Sequence, residues 1–541
     1  MPPMRNPKFL LTFMTCALLP LLASADDLVG LIRSGDGAAL AAIRGGADVN
    51  ALQPDGSSPL LWAVYRVDHT LVQELLARGA KPNVRNMLGA SPLNEAIALN
   101  DLPMVEMLLK AKADPNLSND DEQTPLMIAA RNGSLPIAQA LVKAGARVNE
   151  REKLRGQSAL MWAIGANSPA VVDFLIKHKA EVDNRAAEND WGNQITSEPR
   201  AQYRPTGGLT PLLYATRSGC LDCVKSLLKA GADINKPTPD GVTPLMNAID
   251  NNNYAVANYL LDQDANPHLM DWWSRSALYL AADMRTRGGN GRGQANAANG
   301  LGTPGAPDPG QAADAATAGA PKGSAIQILQ RLLEMGVDPN TQLDMHRPFR
   351  GRFTDDLITT GCTPLLRAAI STDREAVDLL LKHGALPDLP NVMGVTPLMA
   401  ASGIGMFVGA SGGWQGPMGV GDEQQTNAIA VIGLLLKAGA DVNARITDTG
   451  SHTALIARPS SMTDRQGQTA LFGAVGAGNG GDQTRSWTRV AKFLIDNGAR
   501  LDVKDAAGKT ILDALAGKAG GRDTPSTPEM VKLIKGAMGV T

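Results

Sequence analysis

The chain has 541 residues, with 51 basic against 53 acidic side chains and a formal net charge of −2. That balance argues against the cationic surface a nucleic-acid-binding protein needs, while the length admits several globular domains or one long repeat array. At the start, Arg5 and Lys8 precede an apolar run over 9–22, and Ala23-Ser24-Ala25 follows as a small-residue cleavage site. The pattern predicts a secretory signal peptide over 1–25. The run is shorter than the about 20 residues of a spanning helix, and Cys16 lacks the small-residue context of a lipoprotein cleavage site. Without residues 1–25 the chain keeps 49 basic against 53 acidic residues. It is expected to be exported to the periplasm or the extracellular space, soluble and monomeric, with no transmembrane segment.

Residues 27–54 read as an opening cap, and from there one unit recurs. Its most legible copy is Leu209 to Asn235. Thr210 is a hydroxyl N-cap and Pro211 stands at the first helical position, where its missing N–H costs nothing. Leu212, Leu213 and Ala215 make a short apolar helix that Gly219 ends. A second helix over 221–229 carries Val224, Leu227 and Leu228 on one face, and Gly231 stops it as a left-handed C′ glycine does. Ser or Thr opens further copies at Ser58, Ser91, Thr124, Ser158, Thr243, Ser276, Thr363, Thr396, Thr469 and Thr510, in steps of 33 or 34 residues where nothing is inserted. Leu stands two residues after all eleven openers, and Ala five residues after every opener except Thr510, where Leu515 replaces it. A small residue lets neighbouring helices approach, and a constant Leu fills the space between repeats. One unit cannot bury these faces but a stack can.

The motifs Thr124-Pro125-Leu126-Met127, Thr243-Pro244-Leu245-Met246 and Thr396-Pro397-Leu398-Met399 resemble the helix start of the ankyrin repeat. Turns such as Gly46-Ala47-Asp48-Val49-Asn50 and Gly439-Ala440-Asp441-Val442-Asn443 resemble its G-A-D-V-N turn. The likeness covers nearly all of the chain after residue 26, and in its interrupted form it is similar to exported bacterial ankyrin proteins. It implies an all-α repeat solenoid over 26–541, an ankyrin-repeat stack of about twelve helix–turn–helix units with inserted loops. The family's histidine after Leu is absent throughout, which puts its hydrogen bond to the neighbouring repeat in doubt. Trp62, Trp162, Ile128 and Val105 are assigned to packing, and the Asp and Asn residues of the turns to satisfying turn backbone.

Several stretches interrupt the period. Two lengthen the fingers that an ankyrin repeat projects beside its concave face: 186–206, with Trp191, Arg200, Tyr203 and Arg204, and 343–359, with Arg347, Arg350 and Arg352 around Phe349 and Phe353. Arginine and aromatic residues on a loop have the composition of an interface anchor. The alternative is a loop folded back on its own stack, with Asp355 and Asp356 neutralising the arginines. Residues 447–465 extend another connection. Between the helices of single repeats fall 286–322, whose Gly, Ala and Pro content predicts disorder, then 403–423, where Trp414 sits among glycines, and 476–485. Residues 506–541, with a last helix opened by Thr527 and Pro528, read as the C-terminal cap.

Chemistry is scarce. Cys220 and Cys223 have C-x-x-C spacing at a helix start, which fits either a redox site or a structural disulfide outside the cytoplasm. Gly409-Ala410-Ser411-Gly412-Gly413 matches a nucleophile-elbow pattern without its strand-to-helix context. The six histidines are scattered, so neither a metal site nor a cofactor is expected. The expected function is a non-enzymatic protein–protein interaction scaffold that binds an unidentified protein through its concave face and finger loops. An accessory role for an exported redox or hydrolytic enzyme is the alternative, and intrinsic catalysis a third.

Overall fold

The computed structural model describes residues 28–35, 37–188, 207–287, 324–344, 360–404, 422–447, 465–476, 487–516 and 527–540. These form twelve helix pairs, and the only extended pairing among them is four isolated bridges. Helices up to Lys229 belong to one compact unit and helices from Pro244 onward to a second.

The first unit holds α1 (Leu28–Ser34), α2 (Ala38–Arg44), α3 (Pro59–Tyr65), α4 (His69–Ala77), α5 (Pro92–Ala98), α6 (Leu102–Lys110), α7 (Pro125–Arg131), α8 (Leu135–Lys143), α9 (Ala159–Gly165), α10 (Pro169–Lys177), α11 (Pro211–Ser218) and α12 (Leu221–Lys229). The inner helices α1, α3, α5, α7, α9 and α11 stack in that order, each packed on its own outer helix. In the second unit the pairs are Pro244–Asp250 with Tyr254–Asp262, Ala277–Arg287 with Ala325–Glu334, Pro364–Ile370 with Arg374–Lys382, Pro397–Ala401 with Asp422–Lys437, Ala470–Gly476 with Thr488–Asp496, and Ile511–Leu515 with Pro528–Met538.

The repeat skeleton follows from three positions. Ser58, Ser91, Thr124, Thr210, Thr243, Thr363 and Thr396 each accept a hydrogen bond from the backbone N–H three residues on, with proline next in the chain. Such a cap contributes about 1 kcal/mol. Ser158 precedes alanine instead, and its Oγ is buried without a hydrogen bond. The Leu two residues after the opener is buried in ten copies and half-buried at Leu512. Ile511–Leu515 has only one stacked inner-helix neighbour among the described residues, Ala470–Gly476, so Ile511, Ala514 and Leu515 take over the buried face. Gly219 and Gly231 adopt φ of 74° and 90°, the left-handed conformation in which glycine carries no Cβ penalty.

The turn asparagines reach further than their own turns. Asn50 Nδ2 donates to the Gly79 carbonyl at 3.1 Å while its Oδ1 accepts from Lys81 N at 2.9 Å. Asn83, Asn116, Asn149, Asn340 and Asn443 make the same pair of bonds to the following repeat. Asp183 and Asp388 stand in this row as acceptors only, from Asp233 N and Asp441 N. Inter-repeat bonding thus runs through the turns. Of the residues in the missing histidine's place, Asn94 also bonds across, donating to the Leu117 carbonyl at 3.3 Å.

Insertions leave and rejoin the stack at paired stems. Ala186 N donates to Leu209 O at 2.9 Å and Gly208 N to Ala187 O at 3.0 Å. Leu343 N donates to Cys362 O at 3.1 Å and Gly361 N to Leu343 O at 2.7 Å. Ile446 N donates to Gln468 O at 3.0 Å and Gly467 N to Ile446 O at 2.7 Å. Two boundaries shift from the expectation. Ala277–Arg287 runs to Arg287, past the expected start of the insertion at 286, and Asp422–Lys437 begins inside 403–423. The last helix buries Met530 and Ile534, whereas Leu533 and Met538 are half-buried. Residues 1–25, expected from the sequence to be a signal peptide, lie outside the described residues.

Candidate interaction face

Of the residues singled out for partner contact, Trp191, Arg200, Tyr203, Arg204, Arg347, Phe349, Arg350, Arg352, Phe353 and Trp414 all lie outside the described residues, as does Ser411. Cys220 and Cys223 are joined in a disulfide, 4% and 0% exposed. Cys220 caps α12, its sulfur accepting from Cys223 N at 3.2 Å, so neither sulfur is an accessible nucleophile. His69 Nε2 lies 2.7 Å from Asp101 Oδ2, but that carboxylate already caps α6 through Met104 N.

A different set of residues stands out once the inner helices are aligned. The residue four places after each opener varies down the stack: Trp62, Glu95, Ile128, Trp162 and Tyr214 in the first unit, then Asn247, Leu280, Arg367, Ala400, Gly473 and Ala514. At two places in the stack this side chain meets the one seven places after the preceding opener. Arg131 lies over the Trp162 ring at 5.1 Å, and Asp283 Oδ1 lies 2.6 Å from Arg367 Nε.

In the first unit this face is open at three of its five positions, Ile128 and Tyr214 being buried. Trp62, Glu95 and Trp162 are half-buried, where the sequence reading placed both tryptophans in the packing. Arg33 lies over the Trp62 ring at 4.9 Å, Tyr65 meets Trp62 edge-on at 5.8 Å, and Arg217 lies over Tyr214 at 4.9 Å. Gln157 Nε2 donates to the Tyr214 hydroxyl at 2.6 Å. Burial pushes the Glu95 carboxyl above its ordinary value and the Arg131 guanidinium below its own. Arg217 is lowered by burial, with the Tyr214 charge opposing and the Arg155 charge adding to the fall. On the finger turns Leu52, Met87, Leu88 and Leu154 are exposed, Met87 at 75% and Leu88 at 72%. The turns are stitched in register by Met87 N to Asp55 O at 2.8 Å and Lys153 N to Asp121 O at 3.0 Å.

In the second unit the same positions are closed. Every residue four places after an opener is buried there. The Arg367 and Asp283 side chains are 0% and 1% exposed. At Gly473 an added Cβ would lie 2.8 Å from both Ile404 N and Ile404 Cγ1 and 3.0 Å from Ser402 O, so the chain itself covers that position. Among the described residues no group of three or more His, Cys, Asp or Glu side chains is placed to hold a metal ion, and no helix is long and apolar enough to cross a membrane.

The family model for ankyrin repeats in three copies matches residues 30–119, 93–186 and 192–285, and that for a single ankyrin repeat matches 360–392. Human inversin is 35% identical over 95 residues, 18% of this chain and 8% of that protein. A putative ankyrin repeat protein of Acanthamoeba polyphaga mimivirus is 39% identical over 93 residues, 17% of this chain and 57% of its own. The human mitochondrial disaggregase is 29% identical over 194 residues, 36% of this chain and 24% of its own. The matched segments thus span between 8% and 57% of these relatives. Repeat spacing, capped inner helices, turn-to-turn bonding and the family matches agree: the chain belongs to the ankyrin-repeat family.

Proposed function

We propose that this chain is an exported, non-enzymatic scaffold that holds a protein partner on the inner-helix face of its first unit, with the finger loops 186–206 and 343–359 as further contact segments. The observation that carries this reading is the row of arginine–aromatic pairs on α1 to α11, with Trp62 and Trp162 half-buried, since Trp, Tyr and Arg supply most of the binding energy at contact centres. Exposed Leu52, Met87, Leu88 and Leu154 add apolar area along the stitched fingers. Export rests on the leader-like residues 1–25, and the Cys220–Cys223 disulfide fits it, because such bonds persist in oxidising compartments.

The test is cross-linked capture from the envelope fraction of the source cells, with linked residues mapped by mass spectrometry. One dominant partner linked near 33–217 is expected. The double variant Arg131→Ala, Trp162→Ala should lose capture while circular dichroism stays native. A partner linked only to outer helices, or a purified chain that turns over substrate and stops on Ser411→Ala, overturns the reading.

A further inference from the structure

On the open face, Arg33 stands over Trp62, Arg131 over Trp162 and Arg217 over Tyr214. Glu95 is the exception. Its carboxylate is half-buried and has no hydrogen-bond or ion-pair partner among the described residues. It stands four places after Ser91, and Tyr65 stands seven places after Ser58. Those are the two positions that meet as Arg131 with Trp162 and as Asp283 with Arg367. The repeat register therefore sets Tyr65 beside Glu95, with Trp62 edge-on to Tyr65 at 5.8 Å. On the other side the stacked neighbour is apolar, Ala98 followed by Ile128. A carboxylate with two aromatic rings on one flank and no cation of its own is complementary to a cationic group. Arg33 already lies over Trp62, so the ring attraction comes from Tyr65, which Trp62 backs edge-on, and the carboxylate adds a charge-assisted hydrogen bond.

We propose that Glu95, Tyr65 and Trp62 form a binding site for an arginine or lysine side chain of the docked partner segment. This rests on the scaffold reading for its setting, but the site can be tested without the partner. Burial also raises the Glu95 carboxyl, as expected for a charge that lacks its counter-ion.

The probe is the peptide tetra-arginine, with tetra-citrulline as its neutral isostere, titrated against the full chain labelled with 5-fluorotryptophan and followed by fluorine NMR. The Trp62 signal is assigned by its disappearance in Trp62→Phe. Tetra-arginine should shift that signal saturably, and tetra-citrulline should not. Glu95→Gln, nearly isosteric, should weaken tetra-arginine binding at least tenfold, whereas Glu74→Gln on outer helix α4 should leave it unchanged. Equal binding of the two peptides, unchanged affinity in Glu95→Gln, or an equal loss in Glu74→Gln overturns the site. If Glu95→Gln abolishes peptide binding but no partner is ever captured, the scaffold reading fails and the cation site stands. If capture succeeds and depends on Trp162 but not on Glu95, the cation site fails and the scaffold stands.

Discussion

The two units share one skeleton and differ in what they do with a single pair of positions. In the first they include Trp62, Glu95 and Trp162 with Tyr65, left half-covered, and Arg131, exposed. In the second they include Arg367 and Asp283, paired at 2.6 Å and fully enclosed, and Gly473, roofed by Ile404. Leu and Ala at their fixed offsets hold both units together, so the fold does not care which variant occurs. The lesson is that the positions that define the family and those that define a binding face are different, and that a face can be closed without altering the repeat.

The largest effect should come from opening the closed unit. Asp283→Ala leaves Arg367 charged and enclosed, and breaking a buried pair from one side costs about 3–5 kcal/mol; urea unfolding should show that loss. Glycine substitutions contrast the units directly. Gly473→Ala drives a methyl into the Ile404 backbone and should cost about 1–3 kcal/mol, whereas Gly165→Ala, in α9 with nothing within 4 Å, should stabilise by about 0.5–1 kcal/mol.

Asp388→Asn comes next. The carboxamide keeps the bond from Asp441 N and regains the donor that the other turn asparagines use, for a gain of about 0.5–2 kcal/mol at neutral pH. Burial raises the Asp388 carboxyl above its ordinary value, the Asp441 N–H bond opposes the rise and the Asp441 charge adds to it. The folded chain therefore holds that proton more tightly than the unfolded one, and stability contributed at low pH is lost as pH rises through the folded-state value. The advantage of Asn should shrink on acidification, as thermal melts at several pH values would show. Smallest is Arg131→Ala, which removes a cation from an accessible ring face and should cost less than about 1 kcal/mol of stability. A larger loss would mean that the first unit's face is as closed as the second's.

Most of the skeleton was legible in the sequence because its causes are local. The hydroxyl, proline and leucine at each opener specify a cap and a first turn, and the helix expected over 221–229 is Leu221–Lys229. Non-local causes were harder to read. The turn asparagines were assigned to their own backbone, and their bonds to partners 29 to 57 residues away depend on how repeats stack. Trp62 and Trp162 were assigned to packing by residue type. The signal that identifies them is variability at one offset: beside constant leucine and near-constant alanine, that place holds Trp, Glu, Ile, Tyr, Asn, Arg and Gly. The finger residues proposed for contact fall outside the described residues, so the face on α3 to α11 was reached by another route.

The paired stems at 186–209, 343–362 and 446–468 have a practical corollary. Each returns the chain to the point at which it left, so the stack is indifferent to what travels between the two strands of the stem. Lengthening a closed excursion twofold costs only about 0.6 kcal/mol in closure entropy. These are ready-made splice ports: a foreign hairpin or recognition peptide exchanged for residues 345–359 should be displayed at the rim of the scaffold without disturbing the helices on either side.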